Sequence, residues 1–446
     1  MDGTGADTVP LAAGGLPLFG HLLGLVRGRA VFLQGLRTGG DIVEMRLGRR
    51  SFYVLNAPEA IHEVLVTQSG KFSKGMLFDR VRPYIGNGLA TSDGTFHLRQ
   101  RRSLQPAFHR ERITRYAETI AAVAEQRVGR WRTGRTLAME REMRELAVAM
   151  MLPTLFPSAD GSGAGRAVED LGARVGEDLG ILVRGVLRAT VLPPALAEWP
   201  TPGRREFLAS AASLRGLAAA AVRQARRSPQ HDGVLALILA HEDGMSDEEA
   251  CDELLTLLVA GVETTGTTLA WALHALARDP QAADRMHEEA SAAGPGPATP
   301  AALPYTTRFV QEVLRLHQPL WFMGRRALET VRIGRYEIPE GAEVVYSAAT
   351  LHRDPACFPD PLRFDPDRWL VRPERSLPRG TYLPFGAGNR KCIGDGFAWA
   401  EMLAVLATVT TRWHLHPSPG HRVRAVADAQ IRPDALPMSV TPRPTH

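Results

Sequence analysis

Apolar and polar positions alternate most clearly in VEMRLG, where Val43, Met45 and Leu47 are separated by Glu44 and Arg46. That is the period of a half-buried strand, and SFYVLN (51–56) reads as its partner. A second strand pair is expected in RIGRYEIPEGAEVVYS (332–347), with Pro339, Glu340 and Gly341 as turn residues. Between and after these segments the apolar spacing is helical. The longest predicted helix runs from about Ser246 to Arg278, with Ser246 and Glu249 fitting a capping box and Pro280 following its end. At the usual rise per residue it is roughly 50 Å long, enough to cross a domain. Residues 1–40 are punctuated by Gly and Pro and read as an irregular lead-in. Residues 290–304 read as a surface connection into a further helix, RFVQEVLRL. Residues 165–225 read as Ala-, Leu- and Arg-rich helices broken at VLPPALAEWPTPG, an arrangement suited to a mobile lid. The expected architecture is a single domain over residues 1–446, mainly α with a minor β part.

Composition narrows the function classes. Of 446 residues, 44% are hydrophobic and 23% charged, which supplies a large core and excludes a disordered chain. Three cysteines, Cys251, Cys357 and Cys392, are too few for a disulfide scaffold. They point to a reducing compartment, the cytoplasm, in which a constrained cysteine is a ligand or nucleophile. The formal charge of +5 comes from arginines interleaved with acids, without a basic tail or a nucleic-acid module. The N-terminus carries no secretory signal pattern, and no uncharged apolar run is long enough to predict a membrane span.

The strongest chemical signal is FGAGNRKCIG (385–394), followed by an amphipathic helix, DGFAWAEMLAVLATVTTRW. The loop presents one thiol just before a helix. Gly386, Gly388 and Gly394 permit positive φ and close backbone approach. The helix N-terminus, with Arg390 and Lys391, favours a thiolate at Cys392, and Phe385 can shield it.

These residues resemble the cytochrome P450 family, the haem-thiolate monooxygenases. The family loop Phe-x-x-Gly-x-Arg-x-Cys-x-Gly is filled by Phe385, Gly388, Arg390, Cys392 and Gly394. The resemblance implies a large helical domain with a long central helix and small antiparallel sheets, and Cys392 as the axial ligand of haem b iron. It extends to Glu312 and Arg315 of QEVLRLH and to Arg368 of RFDPDRW, where Glu312 would hold both arginines under the cysteine loop. In AGVETTG it assigns Thr264 and Glu263 to proton delivery toward bound oxygen, with Ala260 and Gly261 leaving room above the haem. Gly and Thr there also suggest local widening of the helix. His97 and Arg101, one turn apart, match the haem propionate donors, as do Arg390 and Arg325, with Arg326 adjacent. By family position the substrate pocket includes Met76, Phe78, Val81, Val259, Leu320, Trp321 and Phe322.

The implied activity inserts one oxygen atom of O2 into a hydrophobic natural product, with two electrons from a ferredoxin, its reductase and NAD(P)H. No reductase domain is expected within the chain. Lys391, Arg101 and Arg102 are candidate contacts for an acidic ferredoxin. The Ala- and Arg-rich style resembles actinomycete members of secondary metabolism and antibiotic biosynthesis. It favours a terpene substrate, specifically a sesquiterpene hydrocarbon, over a fatty acid, macrolide or steroid. A peroxygenase or a non-catalytic haem-binding protein on the same fold are the alternatives, and the Glu263–Thr264 pair argues against both. The protein is expected to act as a monomer, without nucleic acid.

Overall fold

The computed structural model describes residues 7–155, 165–192, 197–227, 233–240, 244–294 and 296–444. The alternating segments at each end of the chain form strands, and the helical segments between them form helices. These group into two compact units, one comprising Met1–Asp79 with Leu314–Cys392 and the other Arg80–Val313 with Ile393–His446.

The first unit is organised by a five-stranded sheet. Ile42–Leu47 and Arg50–Leu55 pair as the alternation predicts, with Val43 opposite Val54 and Met45 opposite Phe52. Glu343–Tyr346 then pairs parallel with Arg50–Leu55, Met323–Ala327 pairs antiparallel with Glu343–Tyr346, and Phe72–Ser73 closes the edge. The other three pairings of this sheet are antiparallel, as expected, and this one is parallel. Strands so far apart in sequence are joined by a crossover rather than a hairpin, so the turn does not dictate their direction. The late strand pair is corrected. The hairpin is Val331–Ile333 with Tyr336–Ile338, turning at Gly334 and Arg335. Pro339 to Gly341 instead lead into the strand that joins the larger sheet. Ile42, Leu55, Ile61, Phe72, Val344 and Leu351 form the core of this unit. The lead-in is not wholly irregular, since it contains the helix Leu22–Leu36, kinked at Arg29. Gly24, Gly28 and Gly35 obscure its periodicity.

The second unit surrounds the central helix Asp247–Leu276, within two residues of its expected ends. The capping box is present: Glu249 N–H donates to Ser246 Oγ (3.1 Å) and Ser246 N–H to the Glu249 carboxylate (3.0 Å). This helix is long and apolar enough to cross a membrane, but 78% of its apolar window is buried within the protein, as befits a core helix. It packs against Met139–Leu155, Pro202–Arg227 and Asp395–Arg412. Gly165–Val191 and Pro202–Arg227 are the helices expected over residues 165–225. Residues 193–196 of the break between them lie outside the described residues. A small sheet, Leu137–Ala138, Pro437–Pro442 and Trp413–Pro417, completes the unit.

Candidate active site

In the first unit, the cysteine loop is held by its own main chain. Cys392 N–H donates to Phe385 O (2.9 Å), which closes the loop and leaves the Cys392 side chain exposed. Gly388 has φ +71°, and a Cβ there would sit 1.8 Å from the carbonyl oxygen of Leu65. Only glycine allows this approach. Gly388→Ala is expected to destabilise the protein by roughly 2–4 kcal/mol, combining left-handed strain with backbone overlap. Chemical denaturation measures it, and a loss below about 0.5 kcal/mol would mean that the loop relaxes freely. Gly394 departs from expectation, since its φ is −94° and it serves as the N-cap of Asp395–Arg412. Its place at the helix start, not positive φ, accounts for it.

Arginines fix the segment that leads into this loop. Arg315 is fully buried. It donates to the carbonyls of His352 (2.7 Å), Pro361 (2.7 Å) and Arg363 (3.1 Å), and lies over the Phe358 ring. Arg368 donates to Pro359 O and to Asp360 O (3.1 Å), and Asp360 itself has φ +45°. Both guanidiniums thus hold main-chain carbonyls of the meander 352–368. Glu312 is fully buried one turn before Arg315 on the helix Pro304–Leu316.

The neighbouring arginines 325 and 326 separate by strand alternation. Arg326 pairs with Glu343 (2.6 Å) and Asp79 (2.8 Å). Arg325 points to the other face, is buried, and donates to Gly324 O (2.7 Å). Arg390 donates to Phe72 O (2.6 Å). Before the strand Met323–Ala327, Trp321 and Phe322 meet edge to face at 4.4 Å. Trp321 is buried and Leu320 is exposed. Met76 and Phe78 are partly exposed.

In the second unit, one face of the central helix breaks the pattern of burial. Ala260 is exposed, and Val259, Gly261 and Thr264 are partly exposed, within a helix otherwise almost wholly buried. The helix continues without interruption here, so the expected widening is corrected. The Thr264 hydroxyl satisfies itself on Ala260 O (2.6 Å) and that of Thr268 on Thr264 O (2.9 Å), without opening the ladder. Glu263 faces away from this surface into a polar cleft that Arg184, Asp428 and Arg432 also line. It pairs with Arg144 Nε at 3.1 Å. Burial pushes the Glu263 carboxyl above the usual range, and Arg144 opposes the shift. His97 is buried and Arg101 partly exposed on the helix Gly94–Leu104. Val81, an expected pocket residue, is buried.

Two groups escape sequence reasoning. Arg144 lies on a separate helix, and no local pattern pairs it with Glu263. Glu401, nine residues after Cys392, is fully buried and accepts a hydrogen bond from Thr265 Oγ1 (3.0 Å). A lone acid within AWAEMLAVL is its only sequence signal. Burial pushes the Glu401 carboxyl well above its usual range. The folded state therefore keeps a proton that the unfolded chain releases above about pH 4.5. Stability should fall as pH rises from there toward the raised folded pKa. Glu401→Gln is expected to flatten that fall, as read by thermal melts across pH; an unchanged slope would contradict a protonated Glu401.

The family model for cytochrome P450 matches residues 10–436 of this chain. The chain belongs to the cytochrome P450 family. Among relatives of this P450 is cyclooctatin synthase of Streptomyces melanosporofaciens, 38% identical over 97% of this chain and 95% of that protein. Cyclooctat-9-en-7-ol 5-monooxygenase of the same organism is 37% identical, over 98% and 96% of the two chains. Pentalenene oxygenase of Streptomyces avermitilis is 33% identical, over 97% of each. The solved heme domain of cytochrome P450DA superposes with a TM-score of 0.84 at 25% identity, covering 98% of each chain. The P450 is an enzyme of the monooxygenase class and, as the family implies, uses haem and O2. Each unit by itself holds residues that suit that cofactor: in the first, an exposed thiol in a backbone-fixed loop and a buried Arg325; in the second, an exposed Ala260 on the central helix and a buried His97.

Proposed function

We propose that this P450 oxidises a terpene skeleton, with a sesquiterpene hydrocarbon as the specific expectation, using electrons from a ferredoxin and its reductase. The observation that carries the substrate class is the near full-length similarity to three terpene-modifying relatives. The apolar character of Met76, Phe78, Val81, Val259, Leu320, Trp321 and Phe322 agrees with a hydrocarbon ligand.

In this reading Cys392 is the iron ligand, and the Phe385, Gly388 and Gly394 framework fixes its main chain. His97, Arg101, Arg325 and Arg390 hold the propionates. Arg325 takes that role over Arg326, whose guanidinium is committed to Asp79 and Glu343. Bound haem supplies the activation of oxygen. Ala260, exposed on the helix, leaves space beside it, whereas the expectation of space at Gly261 is corrected, since a Cβ there would lie 2.1 Å from Met151 Cε. Thr264, whose own proton goes to Ala260 O, offers its lone pairs to accept a hydrogen bond over that space, and Glu263 passes protons from the polar cleft. Glu312, Arg315 and Arg368 act structurally. Exposed Lys391 and Arg102, with Arg101, receive an acidic ferredoxin. The enzyme works as a monomer in the cytoplasm.

The test is incubation of the haem-loaded protein with ferredoxin, its reductase and NADPH across terpene hydrocarbons, fatty acids, macrolides and steroids. A low-to-high-spin shift and an oxygenated product with a terpene alone support the reading. Turnover confined to another class overturns the substrate, and product from peroxide alone would favour a peroxygenase.

A further inference from the structure

The loop 86–92 connects the helix Met76–Ile85, which carries proposed pocket residues, to Gly94–Leu104, which carries His97 and Arg101. Two consecutive carboxylates of the central helix hold its main chain. Asp252 Oδ2 accepts from Asn87 N–H (2.6 Å), and Glu253 Oε2 accepts from Leu89 N–H (2.9 Å). The fit is close. A Cβ at Gly86, where φ is +83°, would lie 2.0 Å from Asp252 Oδ1, and one at Gly88 would lie 2.3 Å from Thr256 Oγ1. The loop also closes on itself, as Thr91 Oγ1 donates to Gly86 O (2.6 Å) and Arg82 to Thr91 O (2.7 Å).

The other oxygen of Asp252 reaches a third element. Oδ1 accepts from Arg215 at 2.8 Å, on the helix Pro202–Arg227. The Asp252 side chain is 10% exposed and that of Arg215 40%. One carboxylate therefore has a shielded arm on the loop and a wetter arm on that helix. The shielded bond to a main-chain amide is the durable one, whereas a half-exposed ion pair breaks readily. Two further ties flank it. The rings of Tyr84 and Phe207 meet at 4.6 Å, and Arg80 donates to Leu192 O (3.0 Å).

We propose that Asp252 is a positioning residue that works as a latch. Its carboxylate couples the helix Pro202–Arg227 to the loop 86–92, which joins the helix of the proposed pocket residues to that of His97, and release of Arg215 sets how fast a bulky ligand enters and leaves. The proposal rests on the haem-enzyme reading for the ligand it admits, but its structural half does not depend on that reading.

The experiment compares wild type with Arg215→Ala and Arg215→Lys as haem-loaded proteins. 4-Phenylimidazole, whose ring nitrogen coordinates haem iron, is the bulky probe in stopped-flow absorbance, and carbon monoxide is the small one. Arg215→Ala should raise both the association and dissociation rates of 4-phenylimidazole by roughly two- to fivefold. The Kd should stay nearly constant, the carbon monoxide rate should not change, and Arg215→Lys should restore most of the effect. In amide-resolved hydrogen exchange Asn87 should exchange faster in Arg215→Ala, while Leu89, held by Glu253, should not. Unchanged rates, equal acceleration of both probes, or a uniform rise at both amides with a lower Tm would overturn the latch. Failure of the haem-enzyme reading shows separately, as absence of the thiolate carbon monoxide band in wild type. Hydrogen exchange at Asn87 and Leu89 then decides the latch alone.

Discussion

Cys392→Ser is expected to abolish monooxygenation and the red-shifted carbon monoxide band of thiolate-ligated haem while leaving the fold in place. The loop does not depend on the sulfur. Its closure is the main-chain bond from Cys392 to Phe385, and its approach to the sheet unit is set by Gly388 against Leu65. Serine keeps both and removes less volume than a methyl group, so stability should change by less than about 1 kcal/mol. The chemistry changes far more. A thiolate is the ligand-forming state of cysteine, and a serine hydroxyl, far less acidic than a thiol, supplies no equivalent anion. Reduced, carbon monoxide-treated protein and its melting curve give both readouts from one preparation. A retained thiolate band would assign the ligand elsewhere, and Cys251 and Cys357 are poor candidates because burial pushes both thiols up.

The features legible in the sequence are those whose cause is local. The cysteine loop is ten consecutive residues, and the central helix announces its start through Ser246 and Glu249. The first strand pair follows from alternation alone. What stayed hidden depends on residues brought together from far apart. The parallel pairing of Arg50–Leu55 with Glu343–Tyr346 has no turn to betray it. Arg144 meets Glu263 only because two helices pack, and Arg215 meets Asp252 for the same reason. Adjacency in sequence also misleads. Glu263 and Thr264 read as a unit, yet successive helix positions face about 100° apart. One enters an arginine-lined cleft while the other lines a partly exposed face.

That separation predicts different failures for the two residues. The Thr264 hydroxyl gives its proton to Ala260 O at 2.6 Å, so its lone pairs are left to accept a hydrogen bond on the exposed face. Thr264→Ala removes this acceptor without touching the helix ladder. NADPH and O2 consumption should continue, while the product formed per NADPH falls by about tenfold or more and peroxide rises. Thr264→Ser should keep coupling. In the proposed function Glu263 acts earlier, as the buried carboxyl that would carry protons past Arg144. Glu263→Gln keeps the shape and cannot release a proton, so O2 consumption itself should slow by about a hundredfold. The pH profile supplies the sign. Because burial raises the Glu263 pKa, the wild-type carboxyl stays protonated above the usual carboxylate range and loses its proton at higher pH. Wild-type turnover should therefore decline on that alkaline side, and Glu263→Gln should lose the limb. Parallel assays of NADPH, O2, peroxide and product across pH separate the two effects. Equal slowing with full coupling in both variants would return them to a single unit, and full coupling at wild-type rate in Thr264→Ala would remove Thr264 from proton delivery.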